Sequence, residues 1–211
     1  MNEEKLSIFD EDYNRLGERT RPEVHANGDW HETFHCWFAH YDEISGEEYI
    51  YFQLRSERKK DYPGLLDITA AGHILSHELI EDGVREIHEE LGMEIAFNEL
   101  SFACMMKEEL VGDGMIDREL ANVYLYTKPV TFESFSLQLD ELSGIFRVTL
   151  RNFERLISNE LQEVHSEGFM INEDSEKEYI NRNISKRDFV AHPTSYFREI
   201  ITKVKFELME K

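Results

Sequence analysis

Basic side chains are scarce in this chain: 23 Lys and Arg stand against 44 Asp and Glu in 211 residues, a formal charge of -21. So acidic a surface repels a nucleic-acid backbone over most of its area, which excludes nucleic acid as a partner. It repels a polyanionic small molecule as well, so a phosphate-bearing substrate would require divalent cations. Cysteine is nearly absent. Cys36 and Cys104 lie far apart in apolar surroundings, which suits buried thiols in a reducing cytoplasm and neither a disulfide framework nor a thiolate metal site. Long hydrophobic runs are missing too: no stretch approaches the length of a membrane span. The start, MNEEKLSIFDEDYNRLGERTR, is acidic and lacks the basic residues and apolar run of a signal peptide, so a cytoplasmic protein with no membrane partner is expected. There is no internal repeat.

What is present is enough for a packed core. With 41% hydrophobic and 12% aromatic residues, the chain reads as globular, one body of about the usual domain size or one body with an extension. Residues 6–10 and 15–20 flank DEDYN as a short hairpin, and HETFHCWFAHYDEISGEEYIYFQLRS carries two aromatic-rich strands about a polar turn. The loop ERKKDYPGLLD follows. A helix is expected over 79–91, with Leu79, Val84, Ile87 and Leu91 as its apolar positions and Gly92 as its stop. Strands are expected at 100–109, 119–127 and 144–148, and a helix near 153–158. NEDSEKE separates two polar, partly β-like stretches, and 193–211 closes the chain as an amphipathic helix capped by Thr194 or Ser195. Residues 1–150 would form the main domain, and 151–211 an extension docked on the same body.

The segment GHILSHELIEDGVREIHEELGM packs Glu86, Glu89 and Glu90 into five residues. On a helix these share a face, and three carboxylates so close repel one another unless cations lie among them. Oxygen-rich clusters of this kind suit Mg²⁺ or Mn²⁺, which leave coordination positions for phosphate oxygens and water. The alternative is a solvated face in an acidic protein, as at Glu47 and Glu48. REIHEELGM resembles the core of the Nudix box, with Arg85, Glu86, Ile87, Glu89, Glu90, Gly92 and Met93 filling every specified position; upstream, Gly72 and Glu78 fit as well. The usual box has seven residues between the loop Glu and the Arg, whereas six, 79–84, stand here. In the family that Glu supports the Arg and the helix.

The chain also resembles the branch of the family related to isopentenyl-diphosphate isomerase, through HANGDWHETFH, FQLRSERKKDYPGLLDIT and AGH, over about residues 15–125. That resemblance implies a metal site built from His25, His31 and His73 with Asp117 and Glu119. His25 and His31 are separated by five residues where the isomerase commonly has six. Each histidine also has a structural alternative, capping a turn or packing between strands. Ala71 stands where the isomerase carries its cysteine, and alanine can neither transfer a proton nor attack. His35, His40, His77, His88, His165 and His192 match nothing functional. Arg55, Arg58, Lys59 and Lys60 form the main positive cluster, with Arg55 and Lys59 as candidates for substrate phosphate and an ordinary solvated turn as the alternative.

The resemblance implies the Nudix α/β/α sandwich, a mixed sheet between helices, and hydrolysis of a diphosphate linkage in a nucleoside diphosphate or derivative. Glu86, Glu89 and Arg85 would carry the chemistry; Glu86, Glu89, Glu90, Glu119 and the three histidines would hold metal. Candidates for the general base are Glu86, Glu119 and Glu141. The alternatives are a Nudix-fold binding module that turns nothing over and an isomerase-like enzyme. The extension after Leu150 could cover the site, form a homodimer interface or bind a partner.

Overall fold

The computed structural model describes residues 4–112 and 115–209. Strands β1 (Lys5–Phe9) and β2 (Arg15–Thr20) form the opening hairpin, followed by a short helix α1 (Arg21–Asn27). β3 (Trp30–Asp42) and β4 (Glu47–Arg55) form the long hairpin, and β5 (Leu66–Asp67) and β6 (Ala70–His73) are short strands paired with β4 and β3. Helix α2 (Arg85–Leu91) precedes β7 (Ser101–Gly112) and β8 (Met115–Tyr126); then come β9 (Leu142–Thr149), α3 (Leu150–Ile157), β10 (Glu163–Ile171), β11 (Lys177–Ser185) and α4 (Thr194–Met209). β3 runs parallel to β8, and the other pairs of named strands among the described residues are antiparallel. The main path runs β11-β10-β9-β4-β3-β1-β2, a mixed sheet with helices on both faces.

β3 and β4 read as near-continuous apolar runs because both of their faces are covered. Trp37, Ala39, Ile50 and Phe52 point to one side, where Phe153 of α3 and Tyr196, Phe197, Ile200 and Val204 of α4 pack on them. Cys36, Phe38, Tyr49 and Tyr51 point to the other, over Ile87 and Leu91 of α2. Residues before and after Leu150 share the first of these cores, and β10 lies beside β9. No helix of the described residues is long and apolar enough to cross a membrane.

Two elements differ from the sequence reading. The stretch expected as one helix over 79–91 is a 3-10 turn (Ile80–Val84) followed by α2, and Leu79 is 65% exposed rather than packed. The side chain of Asp82 accepts the Leu79 N–H, which leaves Leu79 outside the turn as its cap. Helix α1 was not expected at all. Its signal was a Thr with a Glu three residues on and a Pro between them: the Glu23 carboxylate accepts the N–H and hydroxyl of Thr20. α2 stops where expected, at Gly92, whose φ of +67° suits glycine. The last carbonyls of α2 are not left open, since Ser136 N–H donates to Leu91 and Gln138 N–H to Glu90.

Candidate functional site

A cavity of about 540 Å³ opens between α1, α2, β6, the β4–β5 loop, β8 and the segment before α4. Glu86, Glu89, Glu90, Arg85, His25, His73, Asp117, Glu119, Arg55 and Lys59 all line it, and His31 joins the histidine cluster at its wall. Residues 94 positions apart in the chain thus meet in one place.

α2 turns Ile87 and Leu91 into the core, which leaves Glu86 and Glu90 beside β6. A Cβ on Gly72 would lie 2.1 Å from the Glu86 carboxyl carbon, so glycine is what lets that carboxyl reach the cavity. Glu90, 7% exposed, accepts the Ala71 N–H at 3.2 Å. The shortened loop does not displace Glu78. Arg85 donates to both of its oxygens at 2.7 and 3.1 Å, to Glu86 at 2.5 Å, to Glu89 at 3.3 Å and to the His73 carbonyl at 3.0 Å. One guanidinium therefore ties the loop, β6 and the helix together. Burial pushes the Glu86 carboxyl up to about 7, against the charge of Arg85. Burial and the neighbouring Glu86 push Glu90 well above the usual carboxylate range.

His25 comes from α1, His31 from β3 and His73 from β6, with ring centroids 5.1 to 5.3 Å apart, so five intervening residues suffice to bring His25 and His31 together. Their Nε2 atoms and Asp117 Oδ1 are buried without hydrogen-bond partners among the described residues, and these four residues offer ligand atoms within 4.8 Å of one another. Donation from His31 Nδ1–H to the Asp29 carbonyl at 3.1 Å leaves its Nε2 lone pair facing the cluster. Burial first, then the neighbouring imidazoles, hold His25 down to about 4 and His73 well below the ordinary value. Burial and the charge of Glu119 raise Asp117 to about 8. Three neutral imidazoles with open nitrogens and a carboxyl that resists ionisation alone fit a divalent cation; nitrogen-rich donors favour Mn²⁺ or Zn²⁺ over Mg²⁺.

Glu119 stands apart from this quartet. Its Oε2 lies 3.2 Å from His35 Nε2, and His35 groups with Glu119 and the buried Glu108. Arg55 donates to Asp67 at 3.0 Å and to the Asp61 carbonyl at 2.9 and 3.2 Å, while Lys59 pairs with Glu141. His192, matched to no function in the sequence, bonds Glu108 through Nδ1 at 2.6 Å and Asp67 through Nε2 at 2.7 Å. Both ring nitrogens must therefore donate. Burial lowers this imidazole, but the two carboxylates outweigh it and raise it to about 10. Strand alternation from His31 through Thr33 could have flagged His35. Nothing local could have flagged His192, which is 125 positions from Asp67.

No protein-family model matches the chain. It is 38% identical over 201 residues to an uncharacterised Nudix hydrolase of Clostridium acetobutylicum, covering 95% of this chain and 97% of that protein. It is 26% identical over 159 residues to isopentenyl-diphosphate Delta-isomerase 1 of Photorhabdus laumondii, 74% of this chain and 85% of the relative. A crystal structure of a MutT/nudix family protein from Enterococcus faecalis matches the fold with a TM-score of 0.52 at 13% identity, over 85% of this chain and 62% of that one.

Proposed function

Because this chain belongs to the Nudix hydrolase family, we propose that it hydrolyses a diphosphate linkage in a nucleoside diphosphate or a derivative of one, using Mg²⁺ or Mn²⁺. One observation carries this reading: the carboxylates of α2 face the same cavity as four buried nitrogen and oxygen atoms that have no hydrogen-bond partner among the described residues. Glu86, Glu89 and Glu90 would hold cations on the diphosphate side, and His25, His31, His73 and Asp117 a cation at the inner wall. A bound divalent cation supplies neutralisation of phosphate charge and a more acidic water. The chain supplies the rest. Arg85 fixes Glu86 and Glu89 so that they are held before substrate arrives. Arg55 and Lys59, which line the cavity, would meet phosphate oxygens, the first as a fork and the second as a point charge. Glu119 presents an acceptor for the attacking water.

An isomerase reading lacks its thiol. Ala71 offers no proton, and neither Cys36 nor Cys104 lines the cavity. The test is incubation with Mg²⁺ or Mn²⁺ and a panel of nucleoside di- and triphosphates, dinucleotides, nucleotide sugars and prenyl diphosphates, with products identified by mass spectrometry. Cleavage at a diphosphate bond that needs cation and disappears in Glu89→Gln is expected. Binding of cation with no turnover of any member would overturn the hydrolase in favour of a binding module, and prenyl isomerisation without phosphate release would favour the isomerase.

A further inference from the structure

The far side of Glu119 is held by a chain of hydrogen bonds that ends in the last helix. Trp37 Nε1–H donates to Tyr196 Oη at 3.1 Å, Tyr196 Oη lies 2.8 Å from His35 Nδ1, and His35 Nε2 lies 3.2 Å from both Glu119 Oε2 and Thr33 Oγ1. Trp37, His35, Tyr196 and Thr33 are each no more than 2% exposed, and of these only His35 lines the cavity, so Trp37 and Tyr196 depend on the partners named here for their hydrogen bonds.

The proton positions follow from counting donors. Indole nitrogen can only donate, so Tyr196 Oη accepts from Trp37. The phenol's own hydrogen then needs an acceptor, and among the described residues His35 Nδ1 is the one within its reach. Nδ1 is therefore unprotonated and the ring hydrogen sits on Nε2. The opposite assignment would leave the phenol hydrogen buried and unmatched. It would also set a bare nitrogen lone pair against a carboxylate oxygen, which costs free energy.

We propose that Tyr196 and His35 are positioning residues for Glu119: the phenol of α4 fixes His35 as the Nε2–H tautomer, and His35 in turn holds the Glu119 carboxylate at the cavity wall. The chain extends the hydrolase reading in its consequence for rate, but the proton assignment stands without it. It also gives the segment after Leu150 a part in the site, through a side chain that never touches substrate. Glu108, whose Oε2 is buried without a hydrogen-bond partner among the described residues while its Oε1 is held by His192, lies beside this carboxylate and across β7 and β8 from it in register, so His35 keeps the Glu119 carboxylate directed beside a second acidic group.

The experiment has two arms. Nitrogen-15 NMR of histidine-labelled, cation-free protein reads the His35 tautomer without any substrate. Nε2–H alone is expected in the native chain; in Tyr196→Phe, where Glu119 still faces Nε2 but nothing donates to Nδ1, a larger share of doubly protonated ring is expected at the same pH. Protonation of His35 on Nδ1 in the native chain would overturn the proposal whatever the enzyme hydrolyses. With the substrate found above, Tyr196→Phe is expected to lower kcat roughly tenfold or more with KM unchanged, the range for a lost supporting bond. His35→Gln, whose amide can donate from nearly the same place, should keep more of kcat than His35→Leu. Equal loss in the two His35 variants, or full kcat in a folded Tyr196→Phe, would overturn it.

Discussion

At the scale of single residues, the site depends on an atom that is not there. Gly72 has no Cβ, and the Glu86 carboxyl occupies the space one would fill. In Gly72→Ala the carboxyl must move, and with it the partner that Arg85 holds at 2.5 Å. A displacement of about 1 Å in a positioned group costs on the order of a hundredfold in rate. Gly72→Ala is therefore expected to lose about that much kcat/KM and to need more cation for half-maximal rate, while remaining folded, as steady-state kinetics at several cation concentrations and a thermal melt would report. The Arg85 web explains how a loop one residue shorter still brings Glu78 to the helix. The guanidinium grips Glu78 through two bonds, so the anchor is set by reach and angle rather than by the number of residues between them.

At the scale of elements, α2 is seven residues long and too short to be stable alone, so its ends matter. Gly92 closes it in the left-handed region, and a Cβ there would lie 2.5 Å from the Ser136 carbonyl oxygen. Gly92→Ala should cost at least about 1 kcal/mol from backbone conformation alone, read as a lower denaturant midpoint with an unchanged slope. Much of this level was legible in the sequence. The hairpins, the aromatic-rich runs of β3 and β4, the acidic helix and its glycine stop all carry local signals. The pairing of β7 with β8 does not. A bulge between Phe102 and Cys104 shifts that register by one, and the shift sets Glu108 opposite Glu119 on one face. The same holds for His192 and Tyr196, which reach the site only because α4 packs on Trp37. Contacts decided by packing across more than a hundred residues leave no periodicity to read.

At the scale of the whole molecule, the cavity holds protons that the unfolded chain would release. Glu86 is raised to about 7, Asp117 to about 8 and His192 to about 10, so each is more protonated in the folded state than in the unfolded one at neutral pH. His25, lowered to about 4, and His31, His40 and His73, also lowered by burial, work the other way, because their unfolded counterparts near 6.5 still hold protons until about pH 7.5. Between about pH 7.5 and 8.5 the stability of the cation-free protein should therefore fall as pH rises. Saturating Mn²⁺, by supplying the charge that Glu86 and Asp117 lack, should raise the melting temperature and flatten the carboxylate part of that slope. The part due to His192 should remain, and His192→Gln should remove it. Calorimetry from pH 7.5 to 8.5 in chelator and in Mn²⁺ checks both.

The cations lining the cavity are each spoken for: Lys59 by Glu141, Arg55 by Asp67, Arg21 by Glu4, Arg85 by three glutamates. Docking of a phosphate is thus an exchange of one anion for another, and gains little from ionic attraction at close range. Farther out, a chain carrying -21 pushes the same ligand away. Added monovalent salt shortens the reach of that repulsion to about 8 Å at physiological ionic strength. The encounter rate, seen as kcat/KM at fixed free divalent cation, should then increase with sodium chloride, the reverse of what a basic phosphate-binding groove would show.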